Sequence, residues 1–220
     1  MPSNHEQVLE AEAATWCMPD HKVRSEKLQR EVIRYPKLIK DLLLDKLNTH
    51  TMDILDVGGG PVSVASFLAA KSRVVLDPLT DEYKKYFSCR DHIKASGEAI
   101  PRPDASFDLA ISTNALDHTE DPLKTVSEMD RVLRPGGFMA LMCAENNALT
   151  NPHPSHKINL TTEDMHEWLD PTYETVWELN YAQDKYRYGW VLYEGKVGQP
   201  AWAMLMRKTV GYTNGSSQKP

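Results

Sequence analysis

The feature that most constrains the fold of this chain is a run of three glycines directly after a short apolar segment. Residues 52–61 read MDILDVGGGP, and a helix-like stretch follows from Pro61. The pattern predicts a buried strand that passes through a tight turn into a helix, because glycine allows a ligand to approach the backbone closely. The free N–H groups at such a helix start favour a bound carboxylate or phosphate.

A second acidic residue strengthens the interpretation of this turn as a binding site. Residues 73–76 form another apolar segment, and it ends on Asp77, which follows Asp56 by 21 positions. An acid at the tip of the neighbouring strand can accept hydrogen bonds from ribose hydroxyls. The glycine run alone also fits an ordinary strand-to-helix turn, so the pairing with Asp77 is what indicates a nucleoside site.

Composition excludes several classes of protein. The chain has 220 residues, of which 41% are hydrophobic, and this content is typical of a folded α/β domain rather than a disordered chain. The net charge of −6 gives no general attraction to a phosphate backbone. We therefore expect no nucleic acid partner.

Cysteine usage and apolar runs indicate the compartment. The three cysteines, Cys17, Cys89 and Cys143, have no paired spacing, which predicts neither a disulfide framework nor a metal site. Residues 1–10 lack the apolar core of a signal peptide. The longest wholly apolar run, residues 138–144, is too short to cross a bilayer. These features predict a soluble cytoplasmic protein with no membrane partner.

Apolar patterning predicts alternating strands and helices from residue 52 onward. The expected strands are 52–57, 73–77, 91–95, 107–112 and 137–143, and the expected helices are 62–71, 80–87 and 121–132. Such alternation implies parallel pairing with right-handed crossovers, and hence a doubly wound α/β sheet. Farther on, the pattern predicts a helix from Thr161 and strands at 173–179 and 201–206.

The chain divides into three predicted segments. Residues 1–49 form an N-terminal helical cap, in which about the first 20 residues are loosely held and an amphipathic pattern begins at Ser25. Residues 50–210 form the main domain, and the polar residues 211–220 form a disordered tail.

Polar residues lie at or just beyond the ends of several predicted strands. Asp56, Asp77, Ser96 and Asn114 all occupy such positions. In doubly wound sheets, ligands bind beyond the carboxyl ends of the strands, where the strand order reverses. We therefore expect these residues to converge on one site.

Two later segments carry a resemblance to a known family. Residues 104–118 read DASFDLAISTNALDH, and residues 128–138 read EMDRVLRPGGF. Together with the glycine turn and Asp77, they resemble the class I S-adenosylmethionine-dependent methyltransferases, in particular the small-molecule branch of type 11. The likeness covers about residues 50–145. It implies a mostly parallel seven-stranded sheet with an antiparallel C-terminal edge strand, and S-adenosylmethionine as the cofactor.

The resemblance also implies roles for individual residues. The methionine part of the donor would contact Asp56, Gly58, Gly59, Gly60 and Asn114, whereas Asp77 would bind the ribose. The adenine would lie near Pro78, Ser96, Gly97 and Glu98. The sequence departs from the family pattern at Val62, where a third spaced glycine is usual, and at Ser96, where an acid is usual.

Three histidines are candidate catalytic bases: His118, His153 and His156. A hydroxyl acceptor needs a base to remove its proton, and neutral histidine suits that role near pH 7. The alternative for His118 is that it braces the loop after the fourth strand. The alternative for the other two is an ordinary surface loop, and the absence of a carboxylate or cysteine partner argues against a metal site there.

Three functions fit these observations. The first is methyl transfer from S-adenosylmethionine to a small-molecule acceptor, in particular a hydroxyl of a sugar or similar metabolite. The second is a nicotinamide-dependent oxidoreductase, which would use the same glycine turn and Asp77 but leaves residues 107–138 without a counterpart. The third is a non-catalytic protein that binds S-adenosylmethionine.

Overall fold

A computed structural model describes residues 4–26, 43, 45–144, 158–180, 192–193, 196–197 and 201–210. The strands in these ranges are β1 (Asp53–Val57), β2 (Ser72–Leu76), β3 (His92–Ile93), β4 (Phe107–Thr113), β5 (Leu133–Ala144), β6 (Tyr173–Asn180), β7 (Leu192–Tyr193), β8 (Lys196–Val197) and β9 (Ala201–Lys208). The α-helices are α1 (Asn4–Trp16), α2 (Thr80–Tyr83), α3 (Pro122–Val132) and α4 (Thr162–Leu169). Short 3-10 helices cover Thr49–Thr51, Val64–Phe67 and Leu116–His118.

Seven of these strands form one sheet, in the order β3-β2-β1-β4-β5-β9-β6, and β7 and β8 form a separate hairpin. The strands from β3 to β5 pair in parallel, whereas β9 pairs antiparallel with both β5 and β6. This arrangement confirms the predicted mostly parallel sheet with an antiparallel C-terminal edge. The order reverses between β1 and β4, and that reversal opens a crevice at the carboxyl ends of the two strands.

The sheet has an apolar cluster on each face. Along β5, Met139 and Leu141 belong to one cluster, and Ala140 and Met142 belong to the other. Successive side chains of a strand point to opposite faces, so a sheet that is covered on both sides requires apolar residues at nearly every position. All five residues of β1 are accordingly buried.

The prediction of a helix over residues 62–71 was wrong. Only Val64–Phe67 are helical there, in a 3-10 turn, and the backbone is extended at Leu68. The Ser63 side chain accepts a hydrogen bond from the Ala65 N–H, which caps the short turn. Valine at positions 62 and 64 also lowers helix propensity, because its branched side chain loses rotamer freedom in a helix.

Other boundaries differ from the prediction by a few residues. The strand expected at 91–95 contains only His92–Ile93, and the helix expected at 80–87 contains only Thr80–Tyr83. By contrast, β5 begins at Leu133, four residues before the predicted start at 137. The extension arises because Leu133 pairs with Phe107 ahead of an irregularity in the ladder between β4 and β5.

The N-terminal residues are more ordered than the sequence predicted. Residues 4–16 form α1, although the first 20 residues were expected to be loosely held. The amphipathic segment that was expected to continue through 27–42 lies outside the described residues, apart from its start, and so does the tail 211–220. None of the described helices is long and apolar enough to cross a membrane.

Candidate functional site

The glycine turn after β1 depends on glycine at position 58. Gly58 has φ of +69°, and its N–H donates to the Leu76 carbonyl at 2.7 Å. A Cβ at this position would lie 2.4 Å from the Ala115 Cβ, which is far inside van der Waals contact. Gly60 also has a positive φ, of +59°, but a Cβ there would meet no atom within 4 Å. The turn therefore packs tightly against the loop after β4 at one end and faces open space at the other.

Asp77 connects the tip of β2 to this turn. One carboxylate oxygen, Oδ2, accepts a hydrogen bond from the Gly60 N–H at 3.0 Å, and Oδ1 accepts from the Leu79 N–H at 2.8 Å. Burial raises the pKa of Asp77 to about 6, although the two backbone hydrogen bonds oppose that rise. Asp77 is also one of the residues that line the cavity described below.

Asp56 lies beneath the turn and does not line the cavity. Its Oδ2 accepts hydrogen bonds from the Ser63 hydroxyl at 2.5 Å and from the Ala65 N–H at 3.3 Å. Its Oδ1 is buried without a hydrogen-bond partner among the described residues. Burial raises the pKa of Asp56 to about 6. This geometry favours a role in holding the turn over direct contact with a ligand.

His92 on β3 also holds the turn, although no sequence pattern indicated this role. Its Nε2 lies 2.8 Å from the Gly60 carbonyl oxygen and donates to it in the corresponding tautomer. Burial lowers the pKa of His92, which keeps the ring neutral. The Gly60 residue is thus held on its N–H by Asp77 and on its carbonyl by His92.

A cavity of about 320 Å³ opens beside the turn, at the carboxyl ends of β1, β2 and β4. All of the predicted donor-binding residues except Asp56 line it: Gly58, Gly59, Gly60, Asp77, Pro78, Ser96, Gly97, Glu98 and Asn114. Its volume lies at the lower end of the range of about 300–1,000 Å³ that is usual for small-molecule sites. The sequence therefore identified one continuous wall of a real cavity.

The loop at residues 96–98 is fixed to the start of α3. Glu98 accepts hydrogen bonds from the N–H groups of Glu120 and Asp121, at 2.9 and 3.3 Å, and from the Ser96 hydroxyl. A Cβ at Gly97 would lie 2.7 Å from the Thr125 side chain, so only glycine fits there without a shift. The carboxylate of Glu98 thus holds the loop as well as lining the cavity.

Helix α1, in the predicted N-terminal helical cap, forms a further wall of the cavity. The lining side chains of this helix are His5, Val8, Leu9, Glu12, Thr15 and Trp16. They recur at intervals of three and four residues, the spacing of a single helix face. That spacing was visible in the sequence, but the acidic residues between these positions made the segment resemble a polar tail.

His118 lines the cavity as an ion-paired residue. Its Nδ1 lies 3.2 Å from a Glu12 carboxylate oxygen, and its Nε2 lies 3.4 Å from a carboxylate oxygen of the buried Asp117. Burial alone would lower the pKa of His118, but the two carboxylates outweigh it and raise the pKa to about 10. The ring is therefore protonated at neutral pH and has no lone pair to accept a proton, which argues against the predicted role as a general base. The other candidate bases, His153 and His156, lie outside the described residues.

The described lining of the cavity is acidic. Its described lining includes the carboxylates of Glu12, Asp77 and Glu98, and it contains no lysine or arginine. Its described basic side chains are His5 and His118. Within the described ranges, no group of three or more His, Cys, Asp or Glu residues could hold a metal ion. The lining therefore favours a ligand with a positive charge beside its nucleoside-like part.

Part of the chain is similar to known methyltransferases. Residues 55–141 match the family model described as a methyltransferase domain. An uncharacterized methyltransferase of Mycolicibacterium gilvum is 35% identical over 101 residues, which are 43% of this chain and 40% of that protein. Residues 55–141 therefore resemble the methyltransferase domain of the class I S-adenosylmethionine-dependent superfamily. The predicted resemblance to this superfamily, whose cofactor is S-adenosylmethionine, is confirmed over these residues.

Several solved structures share the fold of this chain. One is Burkholderia thailandensis 1,6-didemethyltoxoflavin-N1-methyltransferase with bound 1,6-didemethyltoxoflavin and S-adenosylhomocysteine, at a TM-score of 0.60 and 16% identity over 95% of this chain and 92% of that chain. Another is a SAM-dependent methyltransferase from Aquifex aeolicus, at a TM-score of 0.54 and 15% identity over 95% of this chain and 100% of that chain. The chain spans only 37–45% of the length of the first curated relatives it matches.

Proposed function

We propose that this protein transfers the methyl group of S-adenosylmethionine to a small-molecule acceptor. The observation that carries the proposal is the acidic cavity beside the glycine turn. S-adenosylmethionine carries a net positive charge, whereas a nicotinamide dinucleotide carries an anionic pyrophosphate. The described lining offers carboxylates and no lysine or arginine, so it suits the sulfonium donor better than the dinucleotide.

Different residues of the cavity would contact different parts of the donor. The ionised carboxylate of Asp77 would accept hydrogen bonds from the ribose hydroxyls, and the glycine turn would admit the methionine part close to the backbone. Ser96, Gly97 and Pro78 would border the adenine. Asp56 and His92 would hold the turn from below and from the side. The donor supplies an activated methyl group, so the chain mainly has to align the acceptor and exclude water.

The acceptor is proposed only as a small molecule. The hydroxyl of a sugar or similar metabolite remains a prediction that rests on His153 and His156, because His118 is held between two carboxylates. Whatever the acceptor, the apolar side chains of Val8 and Leu9 on α1 would help to keep water from the transferred methyl group.

Calorimetric titration tests the proposal. We expect S-adenosylmethionine and S-adenosylhomocysteine to bind with micromolar dissociation constants, and NAD⁺ and NADP⁺ to give no measurable heat. If NAD⁺ or NADP⁺ bound tightly and S-adenosylmethionine did not bind, the result would favour the oxidoreductase over the methyltransferase. A screen of sugars, phenols and amines with isotopically labelled methyl donor then separates an enzyme from a non-catalytic binder, since only the enzyme labels an acceptor.

Donor binding should depend on the ionisation of Asp77. The pKa of this group is about 6, and the ribose hydroxyls need the ionised form as hydrogen-bond acceptor. The affinity for S-adenosylhomocysteine is therefore expected to rise as the pH increases through about 6 and to level off above about 7. Titrations between pH 5 and 8 measure this. The Asp77→Asn variant should bind S-adenosylhomocysteine more weakly, and its affinity should no longer rise with pH. If the affinity of this variant still rises near pH 6, the pH dependence belongs to Asp56 instead.

A further inference from the structure

Strand β3 is tied to both the glycine turn and Asp77. The Ile93 carbonyl accepts a hydrogen bond from the Asp77 N–H at 3.2 Å, so the backbone of β3 holds the residue at the tip of β2. The His92 side chain reaches the turn, where its Nε2 lies 2.8 Å from the Gly60 carbonyl oxygen. The turn follows β1, and β2 lies between β1 and β3 in the sheet, so this contact joins elements that are not neighbours. A strand of two residues therefore braces two parts of the cavity wall at once.

Both backbone groups of Gly60 are held by side chains. Its N–H donates to the Asp77 Oδ2 at 3.0 Å, and its carbonyl accepts from His92. Gly60 has φ of +59°, and glycine adopts positive and negative φ about equally readily. An added Cβ would meet no atom within 4 Å, so packing at that position does not select the conformation either. The two hydrogen bonds therefore fix the rotation of the Gly60 peptide groups.

The geometry also selects one tautomer of His92. Burial lowers the pKa of His92, so the ring is neutral at pH 7.5 and carries a single N–H. The Gly60 carbonyl oxygen can only accept a hydrogen bond, which requires the proton on Nε2. A proton on Nδ1 would instead be buried without a hydrogen-bond partner among the described residues. His92 thus donates as a neutral ring, and it acts on the cavity through Gly60, because it lies outside the described lining.

We propose that His92 is a positioning residue, which fixes Gly60 so that the turn and the Asp77 carboxylate have their binding geometry before the methyl donor arrives. The inference rests on the proposed function, since it assumes that the methyl donor occupies this cavity. A site that is already in its bound conformation loses less conformational freedom on binding, and so it binds more tightly. Because His92 and Asp77 hold the same residue, the contribution of His92 to binding should depend on Asp77.

Matched substitutions of His92 in the full chain test whether the position of its N–H group matters. Dissociation constants for S-adenosylhomocysteine are measured by calorimetry in the wild type, His92→Gln and His92→Asn. The amide nitrogen of glutamine is the same number of bonds from Cβ as the Nε2 of histidine, whereas that of asparagine is one bond closer. We expect His92→Asn to weaken binding about tenfold, and His92→Gln by no more than about threefold. The exposed His50 lies outside the described lining, so His50→Asn should leave the constant unchanged.

A double-mutant cycle separates positioning from a general effect on stability. The affinity for S-adenosylhomocysteine is compared in His92→Asn, Asp77→Ala and the variant that carries both substitutions. We expect His92→Asn to weaken binding about tenfold when Asp77 is present, but less than about twofold when Asp77 is already alanine. The imidazole 15N NMR spectrum of the unliganded wild type at pH 7.5, assigned by its difference from His92→Gln, should show a neutral His92 ring with its proton on Nε2.

The proposal fails if His92→Gln and His92→Asn weaken binding equally or not at all, because the position of the N–H group then has no effect. It also fails if the effects of His92→Asn and Asp77→Ala on binding are additive, since that result assigns His92 to general stability. A spectrum with the His92 proton on Nδ1 would exclude the contact with Gly60, and this measurement on the wild type decides even if the variants do not fold. A wild type that does not bind S-adenosylhomocysteine would reject the proposed function itself, and the spectrum would still show whether His92 donates to the turn.

Discussion

Replacing Gly58 with alanine is expected to abolish binding of S-adenosylhomocysteine and to lower the free energy of unfolding by about 3 kcal/mol. Two costs combine. The positive φ of +69° is unfavourable for any residue with a Cβ, by roughly 1–2 kcal/mol. The new Cβ would also lie 2.4 Å from the Ala115 Cβ, and relieving that overlap moves the loop after β4. That loop borders the expected methionine position, so the damage reaches the binding site.

Chemical denaturation measures the loss of stability, and Gly60→Ala provides the matched control. Gly60 has a similar φ of +59°, but its added Cβ would have no atom within 4 Å. Gly60→Ala should therefore show only the backbone cost of roughly 1–2 kcal/mol. Equal losses of stability in the two variants would contradict the assignment of the larger cost to the contact with Ala115.

Asp77→Ala is expected to weaken binding of S-adenosylhomocysteine about 10- to 100-fold, which corresponds to roughly 1.5–3 kcal/mol for hydrogen bonds to a charged group. The carboxylate would accept the ribose hydroxyls, and it also holds the Gly60 and Leu79 N–H groups at 3.0 and 2.8 Å. Alanine removes both functions. Calorimetry at pH 7.5, well above the pKa of about 6, measures the effect on the fully ionised site.

Asp81→Ala is the control for Asp77→Ala. Asp81 lies four residues farther along the chain, where its exposed carboxylate pairs with Lys94 outside the cavity. This variant should keep the wild-type affinity. If Asp77→Ala folds normally and also keeps its affinity for S-adenosylhomocysteine, then Asp77 does not bind the ribose.

The strands and the cavity wall beside the glycine turn were predictable, because the sequence patterns that indicate them are local. An apolar run that ends on an acid and three glycines can form few structures other than a buried strand and a tight turn. The positions of Asp77 at the end of β2 and of Asn114 after β4 also follow from local patterns, because each residue comes directly after an apolar run. The helix that the pattern predicted over residues 62–71 does not form at that length. The segment is instead a short 3-10 turn, in which Ser63 donates to Asp56 and accepts from the Ala65 N–H, and the contact with Asp56 joins residues seven positions apart.

The sequence alone determined the resemblance to methyltransferases, the sheet and one wall of the cavity, because glycine, acid and apolar positions at fixed spacing constrain the backbone directly. The tertiary structure decided the charge of the described cavity lining and the surroundings of His118. His118 is a candidate base in the sequence, but Glu12 and Asp117 are 106 residues and one residue away from it, and only folding brings all three together. The pKa of a histidine depends on such neighbours, and spacing along the chain does not specify them.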